Sequence, residues 1–267
     1  MKHRPLPFDP IDLRQLKRSC SHCALSKVCL PAGINQADLE RLDMAVRDKR
    51  LLERGDHLYR QGEIFHSLYV VRSGSLKTVV ESHEGDAQIL GFHLPGELIG
   101  VDALADDHHL CGAEALERTS ICELPYIQLQ KVMAEVPLLQ HQLMRAISRD
   151  VAAEQRHLVM MGRPQAQERL AIFLRNLSER YGRLSRDAKT LTLTMSRYDI
   201  ANYLGLAVET ISRLFTRMEA AGVLAVNRKT VSILKADILM AMHDNQDSSK
   251  KATGISKGKK HVTSSPR

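Results

Sequence analysis

Apolar residues change their spacing several times along this chain, and each change predicts a different kind of element. Residues 1–34 show no sustained period. Prolines and basic side chains interrupt them, so they read as a loop organised by something other than a core. Asn35, with Asp38 three positions on, signals a helix start, and Leu39, Leu42 and Val46 give that helix one apolar stripe. From about residue 51 to residue 124 the texture becomes that of strands. Residues 67–71, 75–80, 88–94 and 119–124 are short β-rich runs, separated by Arg72-Ser73-Gly74, Glu84-Gly85-Asp86 and Pro95-Gly96. Short strands punctuated by Gly and Pro predict a compact antiparallel roll or barrel.

Pro137 ends that regime. Residues 138–161 predict one long helix, about 36 Å at 1.5 Å per residue. Met144, Ile147, Val151, Leu158 and Met161 recur at three- and four-residue steps, as in a coiled-coil seam, with Glu154 breaking it. Gly162-Arg163-Pro164 stops the helix, and a second follows with Ala166, Leu170, Phe173, Leu177 and Tyr181 on one face. Residues 191–235 predict helix, turn, helix and hairpin. Ser196 with Asp199 caps a short helix carrying Ile200, Ala201 and Leu204; Gly205 permits the tight turn; Val208, Ile211, Phe215 and Met218 form the inner face of the next helix, which Gly222 ends. Residues 223–226 and 230–234 flank Asn227-Arg228-Lys229 as a wing-like hairpin. The Lys/Ser-rich tail from Asp244 predicts disorder. The chain thus divides into a cysteine-bearing segment (1–34), a β-roll (35–136), a long helix (137–163), a winged helix-turn-helix (164–243) and a basic tail (244–267), an α+β architecture.

Composition narrows the function. At 267 residues and 43% hydrophobic, the chain can bury two modest cores, yet no run approaches the ~18 apolar residues of a membrane span. The basic start, Met1-Lys2-His3-Arg4-Pro5, has no apolar stretch behind it, so it does not read as a signal peptide. A cytoplasmic protein without a membrane partner is expected, with its thiols kept reduced and clustered cysteines more often serving metal or catalysis than disulfides. The net charge is +7, but residues 244–267 hold six Lys/Arg against two Asp, so charge supports a nucleic-acid partner without establishing one. No nucleophile elbow, phosphate loop or catalytic carboxylate pair stands out, which argues against an enzyme.

Two constellations carry chemistry. Glu209, Ser212 and Arg213 lie at i, i+3 and i+4 and share a helix face opposite Ile211 and Phe215. Arg can fork onto guanine O6 and N7, Glu can accept from cytosine N4, and Ser suits a base edge or thymine methyl. Arg197, Arg217, Arg228 and Lys229 are candidates for DNA phosphates, fixing register without reading sequence. The second constellation is Cys20, Cys23 and Cys29 within ten residues, joined by the distant Cys122. Thiolates suit zinc or iron–sulfur clusters. Zinc, with His22 as a further ligand, an iron–sulfur cluster, a metal-free thiol switch and a merely buried Cys122 all remain open on spacing alone. Cys111 reads as a bystander, and Asp106-Asp107-His108-His109 as a polar loop rather than a metal site.

On these residues the chain resembles the oxygen-responsive regulators of fumarate and nitrate reduction (the FNR family, with its anaerobic-regulator relatives), within the cyclic-AMP receptor protein superfamily. The resemblance runs from Cys20 to about Leu239. It rests on Cys20-x2-Cys23-x5-Cys29 with Cys122, on residues 91–98 (Gly-Phe-His-Leu-Pro-Gly-Glu-Leu), on His108-His109, and on residues 199–213 (Asp-Ile-Ala-Asn-Tyr-Leu-Gly-Leu-Ala-Val-Glu-Thr-Ile-Ser-Arg). It implies that Cys20, Cys23, Cys29 and Cys122 hold an oxygen-labile 4Fe-4S cluster, and that the roll is a cyclic-nucleotide-binding-like sensor without its nucleotide. It implies a homodimer through the long helix, a TTGAT half-site read by Glu209, Ser212 and Arg213, and contact between RNA polymerase and roll loops such as that around Gly85. Nucleotide binders of the superfamily carry an Arg-Ser or Arg-Thr pair where this chain has Cys111-Gly112-Ala113, so cyclic AMP is not expected as a ligand. Cys111 and the tail depart from the family pattern.

The expected switch is Glu154. In a parallel helix pair it faces its own copy, and two carboxylates ~4 Å apart repel by about 1 kcal/mol in water or about 4 at an effective dielectric of 20. Apolar seam residues return ~1.5–3 kcal/mol each at full burial, against ~4–15 kcal/mol of lost rigid-body freedom. That balance leaves helix positioning by a cluster able to decide between monomer and dimer.

Overall fold

The computed structural model describes residue 20 and residues 23–82, 85–184 and 187–239. Residues 1–19, His22, Glu84 and the tail lie outside them. Eight strands build the roll: β1 (Arg47–Leu52), β2 (His57–Tyr59), β3 (Ser67–Ser73), β4 (Leu76–Glu81), β5 (Ala87–His93), β6 (Leu98–Ile99), β7 (Gly112–Ala115) and β8 (Thr119–Pro125). They form two antiparallel sheets, ordered β1-β8-β3-β6 and β2-β7-β4-β5. Leu52, Leu58, Val71, Leu76, Ile99 and Ile121 meet between the sheets in one buried cluster. β3 is buried over its first five residues, which is why it reads as an unbroken apolar run rather than an alternating one. Gly74 turns the chain from β3 to β4 at φ +82°, a conformation L side chains rarely adopt.

α1 (Gln36–Ala45) is capped as anticipated: the Asn35 side chain accepts from Asp38 N–H. α2 (Tyr126–Glu135), absent from the hydrophobic pattern, follows β8 and packs with α1 and the start of α3 (Pro137–Met161) over the outer face of the β3–β8 pair. α3 has Pro at its first position, where a missing N–H costs nothing. α4 (Ala166–Arg183), α5 (Arg197–Leu204) and α6 (Val208–Ala220) precede β10 (Leu224–Asn227) and β11 (Thr230–Ile233), and β9 (Thr190–Thr192) adds a third strand to that hairpin, giving the order β10-β11-β9. The Ser196–Asp199 capping box is present with both reciprocal bonds. The core beneath α4, α5 and α6 does not stop at the winged helix. Ile89, Phe92, Leu94 and Leu116 of the roll belong to it.

Residues 106–108 form an exposed polar loop as read from the sequence, but its last residue turns inward. His109 is buried, its ring stacked on Tyr59 at 3.6 Å, with Nδ1 3.6 Å from Asp102 Oδ1. Ring stacking supplies what the sequence pattern could not reveal.

Candidate metal centre and nucleic-acid interface

Cys20, Cys23 and Cys29 ride on a succession of tight turns. Cys23 N–H donates to Cys20 C=O at 3.2 Å, Ser26 N–H to Cys23 C=O at 3.0 Å, Cys29 N–H to Leu25 C=O at 2.9 Å and Ala32 N–H to Cys29 C=O at 3.0 Å. Coiling of this kind brings three thiols spread over ten positions to one wall. Cys122 approaches from the opposite side on β8, opposite Val70 of β3. All four line a single cavity together with Leu25, Leu30, Leu42, Val70, Leu124 and Arg72. Four sulfurs lining one apolar cavity fit a multi-iron cluster, in which each thiolate has its own iron.

The surroundings raise the affinity of Cys20 and Cys29 for protons. Burial pushes Cys29 up to about 12, with smaller contributions from Cys122 and Cys23. Burial, then the Asp43 carboxylate, pushes Cys20 up further. Uncompensated, these groups stay protonated near neutrality; a bound cation reverses that by displacing the protons. Asp43 also accepts from Cys20 N–H at 2.6 Å, which fixes the first cysteine to α1. On the other flank Gln142 of α3 donates to Ala32 C=O at 2.8 Å, and Val28 packs against Gly96. Leu30 and Ile34 share a buried cluster with Leu139 and Leu143 of α3. The cysteine loop is therefore seated on the same helix that carries the proposed seam. Asp43 and Gln142 escaped the sequence reading because neither is a candidate ligand; only their distance from the loop identifies them. Cys111 is buried, donates to Asp102 Oδ2 at 3.5 Å and is pushed up to about 12 by burial and that carboxylate.

Along α3, Met144, Val151 and Leu158 stand at seven-residue intervals and are 57%, 47% and 70% exposed. Such an apolar stripe needs a cover. Glu154 is exposed beside it. Ile147 and Met161 are half-buried and partly committed within the chain, Ile147 to the roll cluster and Met161 to the winged-helix core. Asp150, one turn before Glu154, faces the cavity between the roll, α3 and α4. Burial and then Glu154 push its pKa up to about 6. α3 thus carries a second carboxylate one turn from Glu154, turned to the cavity within the chain; the four-residue spacing was the available signal.

α6 buries Ile211, Leu214, Phe215 and Met218 and exposes Glu209, Ser212, Arg213 and Arg217. The expected reading face is free of the protein's own core. Ser212 Oγ donates back to Val208 C=O at 3.0 Å, which leaves its lone pairs outward. Arg228 and Lys229 are exposed at the β10–β11 turn, where Arg228 has φ +53°. Arg197 differs: its guanidinium is half-buried over the Phe215 ring, 3.3 Å from the centroid, and ties α5 to α6. Among the described residues no helix is long and apolar enough to cross a membrane.

Residues 49–136 match the family model for the cyclic nucleotide-binding domain, and residues 193–224 match that for bacterial regulatory proteins of the crp family. The chain is 43% identical over 235 residues to the transcriptional activator protein Anr of Pseudomonas protegens, spanning 88% of this chain and 96% of that protein. It is 40% identical over 223 residues to the fumarate and nitrate reduction regulatory protein of Salmonella typhimurium, spanning 84% and 89%. Among solved structures, FixK2 from Bradyrhizobium japonicum is similar at a TM-score of 0.67 and 26% identity, covering 73% of this chain and 96% of that one.

Proposed function

The chain belongs to the Crp/FNR family of bacterial transcriptional regulators, not enzymes, and from that premise we propose that it is an oxygen-responsive regulator whose Cys20, Cys23, Cys29 and Cys122 hold a 4Fe-4S cluster. The observation that carries this reading is the convergence of those four thiols on one apolar cavity between the N-terminal loop and β8. When bound, the cluster supplies oxygen-labile redox chemistry. The chain's own residues do the rest. Asp43 and Gln142 hold the loop to α1 and α3, and Leu30 and Ile34 seal it against Leu139 and Leu143. With all four cysteines engaged, the loop would stay drawn to β8 and braced on α3. Without that brace, the repulsion between Glu154 and its counterpart would outweigh pairing through Met144, Val151 and Leu158.

In the paired state, Glu209, Ser212 and Arg213 read the bases of palindromic TTGAT-type sites, with Arg217, Arg228 and Lys229 on phosphates. A dimer suits half-sites one helical turn, about 34 Å, apart. Gly85 is exposed and offers part of a surface for RNA polymerase.

Anoxic purification tests the reading. The expected product is brown, contains iron and acid-labile sulfide, elutes as a dimer and binds a palindromic site; air should bleach it, dissociate it and release the DNA. Colourless zinc-containing material that binds the same site equally in air would refute it.

A further inference from the structure

Among the described residues the winged helix is fastened to the sensor sheet at four separate places. Asn202 of α5 closes the outer edge of β5. Its Oδ1 accepts from Ile89 N–H at 2.7 Å, its Nδ2 donates to Ala87 C=O at 2.6 Å, and Gln88 Nε2 donates to Asn202 C=O at 3.0 Å. Arg180 of α4 forks onto Glu97, with Nε donating to Oε1 at 2.8 Å and a second nitrogen shared between Oε2 and Phe92 C=O. Lys77 of β4 reaches Asp199 Oδ1 at 3.2 Å and Glu114 at 3.3 Å. Ser75 Oγ donates to Thr194 Oγ1 at 2.7 Å. On its other side α5 leans on α3: His157 stacks on Tyr203 at 4.2 Å, and Met161 fills the space a Cβ on Gly205 would need.

These contacts are directional. β5 is the last strand of its sheet, so its outward N–H and C=O groups need partners, and Asn202 offers the donor and acceptor of a peptide unit in their place. An Arg–carboxylate fork fixes angle as well as distance. Burial alone would raise the Glu97 carboxyl; the Arg180 guanidinium overrides it and holds Glu97 below the usual carboxylate range. A single contact would let the winged helix turn about residues 162–164. Anchors on both the sheet and α3 do not.

We propose that Asn202 and the Arg180–Glu97 pair are positioning residues that set the angle of α6 relative to α3, and thereby the half-site spacing the regulator accepts. This rests on the reading of the chain as a paired DNA-binding regulator. One added base pair moves the second half-site by about 3.4 Å and rotates it by about 34°. Only a rigid link between α3 and α6 penalises that change.

The test uses the full chain carrying Asn202→Ala, Arg180→Gln, or the exchange Glu97→Arg with Arg180→Glu. Amide hydrogen exchange is read first. Residues 87–89 should exchange about tenfold faster in Arg180→Gln, although Arg180 does not bond Ile89 N–H, because the anchors release together. Protection in β10, β11 and α6 should stay, and the charge exchange should restore part of the loss at 87–89. Binding is read second, on palindromes of native spacing and one base pair longer. The parent should prefer the native spacing by tenfold or more, and both single variants by less than about threefold. Unchanged protection at 87–89 in Arg180→Gln, or an unchanged spacing preference in both single variants, overturns the proposal. So does equal loss on both palindromes together with loss of protection in α6, which would mean general unfolding. A parent that binds no palindrome refutes the DNA reading and the spacing claim with it, while the exchange result still reports whether the anchors act as a unit.

Discussion

Replacing Asp150 by Asn should stabilise the chain at neutral pH and progressively less so on acidification. Asp150 sits on α3 near Glu154 of the same helix, Glu97 of the β5–β6 loop, Asp102 within the Val101–Ala103 turn, and Arg180 of α4, the one cation among them. Burial and Glu154 together lift its pKa from 3.8 to about 6. A carboxyl raised on folding binds more protons in the native state than in the unfolded one between those two values, so stability falls as pH rises through that window and the full penalty is present above it. Two pKa units correspond to about 3 kcal/mol at pH 7.5 and about half that at pH 5. Asp150 lines an open cavity, so screening reduces the first figure to ~1–2 kcal/mol. Thermal unfolding of the metal-free parent and Asp150→Asn, at pH 7.5 and pH 5.0, measures it. The variant should melt about 2–8 °C higher at pH 7.5, with the gap narrowing at pH 5.0. A gap that is absent, or the same at both values, refutes the idea that these carboxylates strain α3.

Glu154→Ala should favour pairing in air, and sedimentation should show a dimer without bound iron; a variant that remains monomeric and inactive in air would exclude the repulsion as the switch. Arg213→Ala should weaken binding by about 1–3 kcal/mol and relax preference at one guanine, read by competition among single-base variants of the site; a uniform loss would assign Arg213 to a phosphate. Gly74→Ala should cost about 2–4 kcal/mol, because its Cβ would lie 2.7 Å from Arg118 C=O at φ +82° and meet Thr119 Oγ1 as well. Denaturant unfolding with a loss below 1 kcal/mol would mean the β3–β4 turn relaxes more easily than its packing implies.

Much of this molecule is written locally. Asn35 with Asp38 and Ser196 with Asp199 announce helix starts because capping needs only residues three apart. α6 is legible from its period, although Leu214 joins its buried face unanticipated. β1, β2, β6 and β7 were not resolved as separate strands, since two to six residues leave little room for alternation; β1 reads Arg-Asp-Lys-Arg-Leu-Leu. α2 was hidden by its position between β8 and α3. Cysteine spacing suggested a shared ligand, but the turns that gather Cys20, Cys23 and Cys29 opposite Cys122 come from backbone hydrogen bonds no period encodes. Asn202 and Arg180 meet the roll 83 to 115 residues away in sequence. Periodicity tells which face of α3 is apolar; that Ile147 and Met161 are partly covered from within the chain depends on tertiary packing.

Because Ile89, Phe92, Leu94 and Leu116 are interior to a core completed by α4, α5 and α6, the roll and the winged helix are not interchangeable cassettes. Cutting the chain after α3 would strand those four side chains in water, and the amputated sensor half would be sticky. Grafting a foreign reading head onto this sensor would demand a matching underside as well as a matching linker. Variation along α6 is free only on the side turned away from Ile211, Leu214, Phe215 and Met218, which that shared core holds fixed.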